Sequence, residues 1–296
     1  MAATTAGPVD WSLRRRQARR ITFKVLAYAL LLALSAFILL PVAWMVTAAL
    51  KPDLVPVLTM EPEWFPTKYW QWDNFARILF SDTQPFIRYA INTVGLALLN
   101  IVATVASCSL VAFPFARMRF RFSGFLFYVL IITMLIPWQA MIIPQFLGFH
   151  AIGWYGTYLP LIIPAFGGNA FFVFLIRQYM RTIPRELDDA ARIDGCGWFG
   201  IYWRVVLPLC KPVLAVVVVF TFIGRWNDLL GPLLYLNQTT DFTVPIGLAN
   251  LAGKAGNAQY NLLMAANFLS VLPPVVIYFY IQKQLIGGIA SVGLKG

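Results

Sequence analysis

Six apolar runs, each of about 20 to 28 residues, are separated along the chain by segments that hold most of the charged residues. Each run is long enough to cross a hydrocarbon core of roughly 30 Å. Each is expected to be helical, because an isolated open strand cannot satisfy its backbone hydrogen bonds in lipid. The pattern predicts an all-α integral membrane protein with six transmembrane helices, over 25–49, 88–113, 123–146, 157–179, 212–236 and 262–285.

Lysine and arginine are distributed unevenly between the segments that join these runs. In short loops such residues stay on the cytoplasmic side of a membrane. Of the 23 basic residues, 17 fall on the side of the amino terminus, five on the other side, and Arg225 lies within a run. We therefore predict that both termini are cytoplasmic, with inner segments at 1–24, 180–211 and 286–296 and external loops at 50–87 and 237–261.

The amino-terminal segment resembles the beginning of a secretory signal peptide. Five arginines between positions 14 and 20 precede an apolar stretch that starts at Leu26. A cleaved signal has an apolar core of only about 7 to 15 residues, whereas this run continues to Leu50. We therefore expect the first span to be a retained anchor helix.

Composition and charge fit a protein whose surroundings are mostly lipid. Apolar residues make up 60% and charged residues 12% of the 296 positions, against roughly 45–50% and about 25% in soluble domains. A formal charge of +11 would suit a nucleic-acid partner if the basic residues formed one patch. They instead follow the membrane topology, so a lipid bilayer is expected and nucleic acid is not.

The inner segment 180–211 is longer than a simple connection between two antiparallel helices. Residues 184–195 predict a short helix, with Pro184 in its first turn, three acidic residues near its positive end and Gly195 as its stop. Asp188 lies four residues before Arg192, a spacing that predicts an ion pair. Physical chemistry alone leaves two interpretations open: a helix lying on the membrane interface, or a docking surface for another protein.

A spaced motif in this segment resembles a known family. Asp189-Ala190-Ala191, three residues, Gly195, nine residues and Val205-Val206-Leu207-Pro208 is similar to the EAA signature of importer permeases of the ATP-binding cassette class. Asp189 and Val205 depart from the usual glutamate and isoleucine, and Cys196 follows the glycine. Flanking motifs, including Trp226-Asn227-Asp228 and the final Gly293-Leu294-Lys295-Gly296, resemble the carbohydrate-uptake branch, most closely its maltose-type second membrane subunit.

The resemblance implies a multi-pass protein of a bacterial inner membrane with the type-1 importer fold over 88–285. It implies a second permease subunit, two cytoplasmic ATPase subunits that bind ATP and Mg, an external solute-binding protein and a sugar substrate. The inner loop would fit a cleft of the ATPase and couple its closure to transport. The residues expected to do so are Glu186, Asp189, Ala190, Ala191, Ile193, Asp194, Gly195, Leu207 and Pro208.

Polar residues in or near the spans are candidates for the substrate path or a polar cavity: Asn92, Asn169, Trp226, Asn227 and Asp228. Arg225 and Asp228 are three residues apart on one helical face and are expected to pair. They are interpreted as a structural pair beside a cavity or, alternatively, as direct substrate contacts. By the same resemblance, Gly253, Lys254, Gly256 and Asn257 would contact the binding protein, the other interpretation being a flexible turn.

The sequence does not indicate an enzyme. The only approximation to a phosphate-binding loop, Gly247 to Ala255, has one residue too many and alanine in place of the magnesium-binding Ser or Thr. His150 is the sole histidine, and we find no catalytic constellation, metal site or cofactor site. Two alternatives remain: a permease of the same class for another solute such as a glycerol phosphate, and a carrier of another class, for which Asp228 would be the only intramembrane coupling carboxylate.

Overall fold

The computed structural model describes residues 11–53, 64–65, 70–81, 85–254 and 260–293, with side chains described between Arg19 and Gln282 except that of Lys254. The described part contains helices and no strand. Its α-helices are α1 Trp11–Ala49, α2 Asp73–Leu79, α3 Phe86–Arg117, α4 Ser123–Thr133, α5 Trp138–Ala151, α6 Leu159–Ile162, α7 Ala170–Thr182, α8 Glu186–Ile193, α9 Trp198–Gly200, α10 Leu207–Leu209, α11 Lys211–Trp226, α12 Leu230–Tyr235, α13 Val244–Lys254 and α14 Tyr260–Gly293.

Four helical stretches in the described residues are long and apolar enough to cross a membrane: Arg19–Ala49, Phe86–Arg117, Leu159–Thr182 and Tyr260–Gln282. Two further stretches qualify only as bent pairs, at 93° between α4 and α5 and at 76° between Trp198–Leu209 and Lys211–Trp226. The all-α integral membrane fold is therefore confirmed. The spans number four, or up to six if each bent pair is one span.

The α-helix is interrupted within three of the predicted spans. The span predicted at 123–146 is bent by 93° between Thr133 and Trp138, where Pro137 cannot donate to a helical ladder. The span predicted at 157–179 contains a 3-10 turn, Ile163–Gly167, and then Gly168 at φ 82°, a left-handed conformation that suits glycine.

The third broken span is the one predicted at 212–236. Helix α11 ends at Trp226 and α12 starts only at Leu230. Between them the Asp228 carboxylate accepts a hydrogen bond from the Gly231 backbone N–H at 3.0 Å. Such a local bond from an aspartate offers the backbone an alternative to continuing the helix.

Helix α3 is the centre of the bundle and packs against α7 and α11. Its buried positions include small residues such as Ala97, Ala103, Cys108 and Ala112. Small side chains allow helix backbones to approach closely in a membrane, where packing rather than water exclusion holds helices together. At one end α3 joins a core with α7 and the segment 198–217, and at the other end a core with α11, α13 and α14.

Helix α1 contacts the rest of the described chain mainly through its carboxyl-terminal end. Large apolar side chains between Ile21 and Leu40 are exposed, whereas Ala48, Ala49 and Leu50 are buried. The Asn74 side-chain amide donates to the Ala49 carbonyl at 2.9 Å, which fixes α2 against this end. The exposed apolar length of α1 is the surface expected of a helix in contact with lipid.

Candidate functional site: an inner helix and a membrane cavity

Helix α8 forms where the sequence predicts it and ends for the predicted reason. Glu186, Asp188 and Asp189 lie in its first turn, where negative charge is favourable next to the helix dipole. Gly195 adopts φ 83°, and the Cys196 N–H reaches back to the Ala191 carbonyl at 2.9 Å. This left-handed glycine with its backward hydrogen bond is a common helix stop.

A buried ion pair attaches α8 to the end of α3. Arg117 Nε lies 3.5 Å from Asp188 Oδ2, with side chains 1% and 7% exposed. Arg117 Nη1 also donates to the Ile183 carbonyl at 3.0 Å, just before α8 begins. The ion pair and the hydrogen bond hold both the start and the first turn of α8 against the bundle.

The predicted pairing of Asp188 with Arg192 is wrong. Asp188 points into the protein, so Arg192 is left with Asp189, at 3.8 Å between Nη1 and Oδ1 on the surface. The Arg192 guanidinium also lies 4.2 Å from the Trp198 ring centroid. Sequence reasoning missed Asp188 and Arg117 as site residues; the three-residue spacing of Asp188 and Ala191 places them on one helical face, and both are buried.

Most of the predicted coupling residues lie on the outer surface of this segment. Glu186, Asp189, Ala190, Ile193, Asp194, Gly195 and Pro208 are exposed and Leu207 is half-buried. Ile193 is 88% exposed, an unusual position for a large apolar side chain next to charged neighbours. Ala191 was expected on the contact surface, but it is buried in the core shared with α3 and α7. Of the two alanines only Ala190 is open to another surface.

The segment after α8 ties the inner loop to the membrane helices. A π-helical stretch, Ile201–Val206, places Tyr202 against α3, where its hydroxyl is 2.8 Å from Ser109 Oγ. The Phe113 ring packs edge-on against the Tyr202 ring at 5.3 Å. Pro208 and Pro212 flank the 76° bend into α11. The inner loop therefore contacts α3 directly and is joined to α11 through the bend.

A second feature is a cavity of about 460 Å³ within the membrane helices. It is bordered by α3, α5, the broken helix at Gly168, α11 and α12, and is lined by Thr104, Trp138, Ile142, Gln145, Pro160, Leu161, Pro164, Ala165, Gly168, Asn169, Phe172, Phe220, Thr221, Gly224, Arg225, Asp228, Gly231, Leu234 and Tyr235. Gln145 and Trp138, which follow the bend at Pro137, line the cavity but were not among the predicted polar residues.

The structure brings together two of the five predicted polar residues, Asn169 and Asp228. Trp226 and Asn227 line a different groove, between α1, α11, α13 and α14. The Trp226 indole N–H donates to the Ser270 carbonyl at 2.9 Å. Asn92 donates to the carbonyls of residues 240 and 242 at 2.9 and 3.1 Å, so it fixes a loop. None of these three residues lines the cavity at Asp228.

Arg225 and Asp228 pair as predicted, at 3.1 Å between Nη1 and Oδ2, on the wall of the cavity. The other carboxylate oxygen of Asp228 binds the Gly231 N–H. A Cβ on Gly231 would lie 2.8 Å from Asp228 Oδ2, so only glycine fits at this position without displacing the carboxylate.

The predicted binding-protein contact lies at the end of α13. Gly253 is exposed and Lys254 is the last residue of that helix, whereas Gly256 and Asn257 lie outside the described residues. In the part of the chain that the structure describes, no three His, Cys, Asp or Glu side chains are grouped closely enough to hold a metal ion.

Comparison with known proteins gives a family match. The model of the family described as "Binding-protein-dependent transport system inner membrane component" matches residues 108–290. The arabinooligosaccharides transport system permease protein AraQ of Bacillus subtilis (strain 168) is 32% identical, over 89% of this chain and 92% of its own length. The sn-glycerol-3-phosphate transport system permease protein UgpE of Yersinia pestis is 30% identical, over 74% and 80%.

A solved structure has the same fold. A chain of a bacterial ABC transporter involved in the import of the acidic polysaccharide alginate superposes with a TM-score of 0.78, covering 90% of this chain and 98% of that one. Its sequence identity is 22%, so the likeness establishes the fold alone.

Proposed function

The chain belongs to the binding-protein-dependent transport system inner membrane component family, and from this premise we propose that it is a permease subunit of an ATP-driven, binding-protein-dependent sugar importer. It would form half of a translocation pathway and couple ATPase closure to alternating access. The observation that carries the proposal is α8, a short helix fixed to the bundle on one face and exposed on the other.

The exposed face of α8 suits a partner protein. It presents the apolar side chain of Ile193, with Leu187 also exposed, among charged residues, and an exposed carboxylate at Asp189. An exposed apolar anchor with a charged rim is the usual arrangement of a binding surface. The opposite face is held by the Arg117–Asp188 pair. A partner that pushes on Ile193 would therefore move α3 together with α8, because no flexible linker separates them.

The partners follow from this arrangement and from the family. With both termini cytoplasmic, as the basic residues predict, α8 faces the cytoplasm and would bind one of two ATPase subunits, which hold ATP and Mg. A second permease subunit would complete the pathway, and an external solute-binding protein would deliver the sugar near the far end of α13. The chain itself would hydrolyse nothing and hold no cofactor.

A second candidate substrate class is favoured by one comparison. The UgpE relative is named for sn-glycerol 3-phosphate, an anion, whereas the AraQ relative is named for uncharged arabinooligosaccharides. Both candidates are permeases of the same class. The greater coverage and slightly higher identity of AraQ support the sugar.

Co-purification tests the assignment of α8. Ile193→Asp replaces the exposed anchor and, because the side chain is 88% exposed, should leave the fold intact. We expect a tagged parent chain to recover the ATPase subunit from membranes and the variant to recover at least several-fold less. Ile21→Asp is the matched control, since Ile21 is 62% exposed on the inner part of α1. Equal recovery with all three chains would refute the proposed docking surface.

A further inference from the structure

The cavity between α5, α7, α11 and α12 has the size and chemistry of a small-molecule site. Its volume of about 460 Å³ lies within the roughly 300–1,000 Å³ of such sites. Its walls combine aromatic rings, such as Trp138 and Phe220, with the side-chain amides of Gln145 and Asn169. Apolar walls with a few convergent polar groups are the usual form of a binding pocket.

The charge of the cavity is balanced within it. Among the described lining residues, Arg225 and Asp228 alone are charged, and they bind each other at 3.1 Å with side chains 32% and 20% exposed. Asp228 is held in place by its second bond, to the Gly231 N–H. The cation at this wall is therefore neutralised by a carboxylate that the backbone keeps in position.

We propose that this cavity binds an uncharged saccharide and that the Arg225–Asp228 pair excludes anionic substrates from it. The inference rests on the proposed importer function and names the substrate class of its pathway. A guanidinium has five N–H donors and a carboxylate about four acceptor positions. One bond between them leaves further donors and acceptors for sugar hydroxyls, while the aromatic walls contact the C–H faces of a ring.

An anion is disfavoured by the same geometry. To reach the Arg225 guanidinium, a phosphate or carboxylate has to displace Asp228 or lie beside it. Like charges at a few ångströms repel strongly in a partly desolvated site. Sites that select such anions use arginines whose positive charge and forked donors are both available, whereas here Asp228 neutralises the charge of Arg225.

Binding to the full-length chain in lipid nanodiscs tests this directly, with arabinotriose as the neutral probe and sn-glycerol 3-phosphate as the anionic probe. We expect the parent chain to bind arabinotriose roughly tenfold more tightly than the phosphate. Asp228→Asn frees Arg225 and should tighten phosphate binding by roughly tenfold. The double variant Arg225→Gln/Asp228→Asn is again uncharged and should return phosphate binding to the parent level. Asp53→Asn, the same change in the exposed Arg77–Asp53 pair, should alter neither affinity.

Two results overturn the inference: a parent chain that binds the phosphate as tightly as arabinotriose, or a folded Asp228→Asn chain without tighter phosphate binding. If Asp228→Asn does not elute as a folded chain, the parent chain's preference between arabinotriose and the phosphate still decides. Failure here leaves recovery of the ATPase through Ile193 unaffected, so it is distinguishable from failure of the importer proposal.

Discussion

Replacing Asp188 by asparagine tests whether α8 is fixed to the bundle by a buried ion pair. The carboxylate lies 3.5 Å from Arg117 Nε, and neither side chain is more than 7% exposed. Removing the negative charge leaves the guanidinium buried, with the Ile183 carbonyl as its hydrogen-bond acceptor. A neutral amide at position 188 cannot balance that charge.

The expected cost follows from burial. Removing one partner of a buried ion pair costs about 3–5 kcal/mol, because the remaining charge stays desolvated. The exposed Arg77–Asp53 pair is shorter, at 2.9 Å, but its side chains are 37% and 40% exposed. Water screens such a pair, so Asp53→Asn is expected to cost only about 0–1 kcal/mol.

The assay is the free energy of unfolding of the purified chain in bicelles, measured by SDS titration. Asp188→Asn should be less stable than Asp53→Asn by at least about 2 kcal/mol. The double variant Arg117→Met/Asp188→Leu removes both charges and should recover most of the loss, since apolar replacement of a buried pair is often neutral. If Asp188→Asn is no less stable than Asp53→Asn, the buried pair does not fix α8 and the reasoning fails.

Two further predictions concern glycines. Gly231→Ala should lose about 1–3 kcal/mol of unfolding free energy, because its Cβ would lie 2.8 Å from Asp228 Oδ2. The control Gly95→Ala in α3 meets nothing within 4 Å and should not be destabilised. Equal stabilities of the two variants would contradict the close contact at Gly231. Gly195→Ala should cost about 1–2 kcal/mol at φ 83° and speed amide hydrogen exchange at the end of α8, while Gly197→Ala, at φ −72°, should leave that exchange unchanged.

The presence of membrane helices and of α8 could be predicted because both depend on local sequence. The membrane helices are predicted by comparing the length of each apolar run with the thickness of the bilayer. Helix α8 is predicted by its acidic first turn, by Pro184 and by Gly195, since each of these acts within a single helix. The Arg225–Asp228 pair was also predictable, because its partners are one helical turn apart.

Features that depend on contacts between distant segments could not be predicted. The pairing of Asp188 with Arg117 joins residues 71 positions apart, and helix spacing favoured Arg192 instead. The cavity lies where the chain bends near Pro137 and turns at Gly168; a proline marks where a membrane helix can kink, but it does not give the direction of the bend. Asn92, Trp226 and Asn227 likewise do not line the cavity that contains Asp228.

The measurement that tests the central claim most directly is uptake of labelled sugar together with ATP hydrolysis in proteoliposomes of the complete importer. Asp189 is exposed and pairs only weakly, at 3.8 Å, with Arg192, so Asp189→Arg should insert and fold as the parent does. We predict that this variant hydrolyses ATP without transporting sugar, while Asp189→Glu, which keeps the charge, couples the two as the parent does. Uptake and hydrolysis that stay coupled in Asp189→Arg would contradict a role for α8 in transmitting ATPase closure.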